Sequence, residues 1–148
     1  MATALEFTNL FKTLIRGDIA EHERITAELD QRNDWQGYAE FVGAAFFLAI
    51  ERRFPQRPDR GAVIRLVAEA REKFDENADL IDPIAAETLV LTALGEASAS
   101  GLDGKTIGKV ETLLVHKILM DENLDDARLN EFFLETEQLS REWTEGRL

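Results

Sequence analysis

Apolar residues recur three and four positions apart along most of the chain, the signature of helices that bury one face. The pattern is densest between Trp35 and Glu51, where no polar side chain interrupts Phe41 to Ile50. Glu40 precedes this run and Glu51-Arg52-Arg53 ends it. A bilayer needs ~20 apolar residues, so the stretch predicts a buried core helix and not a membrane span. At 100° per residue its apolar positions cover more than half of the circumference. Gln36, Glu40, Ala44, Phe47 and Glu51 are left on a narrow stripe that should meet water. Phe47 is the odd member of that stripe. Either another helix covers it, or Phe47 and Ala44 belong to a contact with a second chain.

The other elements follow from periodicity and from stop signals. Residues 5–16 place Phe7, Leu10, Phe11, Leu14 and Ile15 on one face, and Gly17 then Asp18 read as a stop followed by a cap. A mostly charged helix over about 18–32 carries a thin seam of Ile19, His22, Ile25 and Leu29. The apolar helix follows over about 34–54, with Asp34 as its expected cap, and Pro55 to Pro58 form a rigid connector. Asp59 opens a fourth helix, Asp82-Pro83 a fifth, about Asp103 a sixth and Asp126 a seventh. No segment reads convincingly as a strand. The fold class expected is therefore all-α: a compact multi-helix bundle of about seven helices around a central apolar helix, in one domain spanning 1–148. Turns beginning at Asp30, Asp75 and Asp121 are 45 and 46 residues apart, which makes a stack of helical repeats the second reading.

Composition adds a class and several exclusions. Hydrophobic residues make up 45% and charged residues 31%, a globular balance. The chain has no cysteine, so disulfides, thiolate nucleophiles and cysteine metal sites are impossible. The N-terminus lacks the basic and apolar segments of a secretory signal, which leaves a cytoplasmic protein without a membrane anchor as the expectation. Net charge is −12 and uneven: residues 1–73 carry 11 Lys/Arg against 12 Asp/Glu, residues 74–148 carry 6 against 17. Such a second half would repel nucleic acid, making it an improbable partner.

Candidate chemistry is thin. The turns at 75–79 and 121–125 match the first ligand positions of a calcium loop, but Leu80 and Asp126 stand where its glycine belongs, and Ala86 and Phe132 where its glutamate belongs. Helix caps account for these carboxylates equally well. Ala99 to Thr106 fits only the loosest phosphate-binding loop, without the buried strand such a loop must leave. His22 and His116 lack metal-ligand spacing and read as packed residues. No catalytic residue, metal or cofactor is therefore expected. One feature remains: Arg52, Arg53, Arg57 and Arg60 cluster around the proline connector, with Arg65 and Arg71 beyond. They could pair with the acidic half within the monomer or form a site for carboxylates or phosphates. The function expected is a non-catalytic interaction or regulatory module acting on a protein partner or as a homodimer, with Phe47 and the four clustered arginines as its contact residues. The alternative is a small-molecule- or anion-binding domain, or an enzymatic one, whose pocket would lie between the apolar helix and the 98–104 loop, using Tyr38, His116 or an arginine.

Overall fold

The computed structural model describes residues 4–74, 81–95 and 101–146. Within them the chain forms seven α-helices and no strand: α1 (Ala4–Arg16), α2 (Ile19–Arg32), α3 (Tyr38–Arg53), α4 (Arg60–Lys73), α5 (Pro83–Ala93), α6 (Gly104–Glu122) and α7 (Asp126–Thr144). The all-α expectation holds.

Aspartate starts most of these helices. The carboxylates of Asp18, Asp59, Asp82 and Asp125 accept from the backbone N–H three residues on, at 3.3, 2.7, 3.0 and 2.8 Å, as N-caps of α2, α4, α5 and α7. Asp103 does the same for Thr106 at 2.7 Å, ahead of α6. Each removes one unpaired donor of a first turn and places a negative charge at the positive end of the helix dipole. Asparagine closes others: Asn33 ends α2 at φ 51° and Asn123 follows α6 at φ 49°. Asn tolerates this left-handed geometry better than other side chains do. The Asp30 and Asp121 turns thus share a way of ending a helix, and the Asp75 turn lies outside the described residues.

The chain divides into two compact units, Met1–Ala44 with Glu122–Leu148, and Ala45–Asp121. Helix α3 contributes residues up to Ala44 to the first and from Ala45 onward to the second. The first unit has an aromatic core. Phe41 of α3 stacks on Phe133 of α7 with ring centroids 6.2 Å apart, and Phe7 and Phe11 of α1 approach Phe41 at 5.7 and 6.1 Å. Such offset and tilted pairs each add about 0.5–1.5 kcal/mol beyond their buried area. The second unit has a largely aliphatic core, with Val63, Leu66 and Val67 of α4, Leu89 and Val90 of α5, and Leu114 and Ile118 of α6 all buried.

Three expectations need correction. The apolar helix begins at Tyr38, not near residue 34. Gly37 at φ 85° precedes it, Trp35 lies in the approaching turn and donates from Nε1 to Asp30 at 2.8 Å, and Asp34 is buried beside Arg32 at 3.2 Å. Ala44, expected on the water-facing stripe, has 0% exposure, so it is covered within its own chain and offers no surface to a second one. Ile19, expected in the α2 seam, is 69% exposed, whereas Ile25 and Leu29 are buried as expected. Phe47 is half-buried.

Candidate interaction site

The arginine corner belongs to the second unit and is built by the two prolines. Pro55 and Pro58 cannot continue α3, so the chain leaves it after Arg53 and enters α4 at Arg60 under the Asp59 cap. Arg52 and Arg53 occupy the last turn of α3, where positive charge complements the helix dipole. Arg60 is the first residue of α4, where the dipole opposes it. Arg52, Arg53, Arg57 and Arg60 are all exposed. Arg53 pairs with Glu69 of α4 at 3.2 Å, a partner from the neighbouring helix and not from the acidic C-terminal half. Phe47 lies on α3 about one and a half turns before Arg52. The structure therefore assembles the four arginines on one helix–connector–helix corner, as their sequence proximity suggested.

A second feature, in the first unit, was not visible to the sequence reading. A polar groove of about 290 Å³ runs along α1 and α2, with Lys12, Arg16 and Arg24 among its lining residues. The Lys12 amine bonds Asn130 and lies 3.8 Å from Asp126 of α7, Arg16 pairs with Asp126, and Arg24 bridges Glu21 and Glu28, the latter at 2.6 Å. Burial, and secondarily the Arg16 guanidinium, pull the Lys12 amine below its ordinary pKa. The groove's cations are thus answered by carboxylates of the same unit. Its signal in the sequence would have been the opposition of Lys12 and Arg16 to Glu21, Arg24 and Glu28 across a tight helical hairpin. His22 sits at the back of this hairpin, its Nδ1 3.2 Å from the Thr13 hydroxyl and 3.3 Å from the Leu10 carbonyl, a packed histidine as expected.

Two titratable groups on α6 are strongly perturbed. Burial pushes the Glu111 carboxyl up to about 7. Burial, with Lys73 as a lesser cause, pushes His116 down to about 4. The His116 ring lies 5.1 Å from that of Phe74, its Nε2 is 3.0 Å from the Met120 sulfur, and its Nδ1 is buried without a hydrogen-bond partner. An acid–base pair would need the two groups on one side of α6. Five residues of helix separate them by about 140° of rotation, so they do not converge.

The carboxylates of the second acidic turn have structural roles. Asp125 caps α7, and Asp121 pairs with Lys117 at 2.7 Å. Among the described residues no three His, Asp or Glu side chains are grouped to hold a metal ion. The turn at 75–79 and residues 98–100 lie outside the described residues. From Gly101 the chain passes directly through the Asp103 cap into α6, with no strand before it among the described residues. Tyr38 belongs to the first unit, edge-on to Phe7 at 5.2 Å and Trp35 at 4.9 Å, while His116 belongs to the second. No helix of the described residues is long and apolar enough to cross a membrane. No protein-family model, curated protein or solved structure matches the chain.

Proposed function

We propose that this chain is a non-catalytic interaction or regulatory module of the cytoplasm, one that associates with an acidic protein surface and with a second copy of itself. The observation that carries the reading is the arginine corner: four exposed guanidinium groups within nine residues of a chain whose net charge is −12. Guanidinium groups suit planar carboxylates, and a concentrated patch of opposite sign steers association more than it adds raw affinity. Nucleic acid is disfavoured because the carboxylates of the rest of the chain would oppose a long polyanion. Phe47, half-buried on the helix that leads to the corner, is the apolar contact residue of the reading. The test compares tagged wild-type protein with Arg52→Glu/Arg57→Glu and Phe47→Glu variants in pull-downs from the native host and in sedimentation at low and high salt. Expected is capture of an acidic partner that is lost in the variants and weakened by salt, with helicity unchanged. Identical captures by all three proteins would overturn the role of the corner.

The second reading is a small-molecule- or anion-binding domain. The groove along α1 and α2 favours it, since Lys12 there is a mostly buried amine beside open volume. Saturable thermal stabilisation by a small molecule, abolished by Lys12→Met, would promote it over the first.

A further inference from the structure

Helix α7 turns Leu129, Phe132, Phe133 and Thr136 into the core of the first unit, all of them buried. At 100° per residue the directly opposite side carries Ala127, Glu131, Leu134, Gln138, Arg141 and Glu145. These positions alternate by four and three, the spacing of a seam between two helices. Leu134 stands at the middle of the stripe with 64% exposure, beside a shallow depression of about 280 Å³ bounded by Glu137, Gln138 and Arg141. Glu131 lies toward the N-terminal side of Leu134 and Arg141 toward the C-terminal side, and both are exposed.

This order of charges is self-complementary in one direction only. A parallel partner would set Glu131 against the partner's Glu131 and Arg141 against the partner's Arg141. An antiparallel partner reverses the order and satisfies both. We infer that a second copy of this chain docks on this stripe, α7 against α7 about a twofold axis, with Leu134 facing the partner's Gln138 and Glu131 facing the partner's Arg141. The same register brings Arg128 toward the partner's Glu142. It also brings Glu135 against the partner's Glu135 and Glu137 against the partner's Glu137; the latter is already held by Arg141 of its own helix at 2.7 Å. Arg141 thus serves both its own Glu137 and the partner's Glu131, so carboxylates outnumber cations along the interface, and the Glu135 pair, answered by no cation of this register, limits its strength. One helix pair with one leucine from each chain is smaller than a standard stable interface, so the dimer is weak and concentration-dependent. The inference rests on the self-association proposed above and names its surface.

The chain has no cysteine, so introduced thiols are the only ones present. Leu134→Cys and Gln138→Cys proteins, mixed and oxidised, should form a 134–138 disulfide. Neither alone should cross-link appreciably, because like positions are offset by about 6 Å along the axis, which together with the gap between the helices takes their Cα atoms beyond the ~7 Å a disulfide tolerates. In sedimentation equilibrium, Glu131→Arg should weaken the dimer roughly tenfold, and Glu131→Arg/Arg141→Glu should restore it. Glu135→Gln should tighten it severalfold, an effect that misfolding cannot produce. A dimer that lacks the mixed cross-link and ignores Glu131→Arg would refute this interface while leaving self-association standing. Efficient 134–134 cross-linking would refute the antiparallel register. A monomer at every concentration would refute both the interface and the self-association, leaving the stripe to a helix of another protein.

Discussion

Burial acts in opposite senses on the two perturbed residues of α6. It keeps the Glu111 carboxyl protonated up to about 7 and keeps the His116 imidazole neutral down to about 4. For Glu111 the folded-state pKa lies above the ordinary 4.5, so its contribution to stability is intact below pH 4.5 and is lost as pH rises through 7. Glu111→Gln, which fixes a neutral group there, should match the wild type in urea denaturation at pH 4.5 and exceed it by about 1–2 kcal/mol at pH 8. Equal midpoints at both pH values would show the carboxyl to be well solvated. For His116 the folded-state pKa lies below the ordinary 6.5, so its contribution is full above pH 6.5 and is lost as pH falls toward 4. Neither shift could be read from the sequence. Glu111 stands among the residues of an amphipathic helix like any exposed glutamate, and only the packing around α6 desolvates it.

At the scale of the element, most of the fold was legible because the chain marks its helix boundaries chemically. Aspartate three residues ahead of a free backbone donor is a local signal, and it located the starts of α2, α4, α5 and α6 to within a residue. The same logic decides the acidic turn before α7. Asp125→Ala should cost about 1 kcal/mol, and Asp125→Asn should cost little because asparagine caps about as well. Denaturation midpoints of both variants, with and without millimolar calcium, provide the check; a calcium-dependent loss in Asp125→Ala would restore the ion-site reading. The start of α3 departs from the pattern because Trp35 fits the helical apolar spacing, while the bond from its indole to Asp30 and the left-handed Gly37 hold it in the preceding turn. Ala44 departs from its stripe because Gln36, Glu40 and Glu51 are exposed as the pattern suggests, whereas this small side chain between them is fully covered. Among the candidate contact residues, the arginine corner was legible through its prolines. The α1–α2 groove and the outward Leu134 were not, since both depend on which faces remain uncovered after packing.

At the scale of the molecule, the two units differ in what they contain. Both tryptophans, Trp35 and Trp143, lie in the first unit, the latter with its ring against Gly43 of α3. Tryptophan fluorescence therefore follows the first unit, whereas far-UV circular dichroism follows the helices of both. A single cooperative domain, the proposal that the chain's length motivates, predicts coincident urea transitions by the two probes. A fluorescence transition displaced from the dichroism transition would mean that the units unfold separately. The division also has a temporal side. The first unit is assembled from both ends of the described chain, with all of the second between them. During synthesis at about 5–20 residues per second, residues 45–121 are complete while Phe7, Phe11 and Phe41 still lack Phe132 and Phe133. The aromatic half-core of the first unit therefore stays incomplete until α7 has been made, and through that interval Phe11 and Phe41 lack the Phe133 ring they pack against.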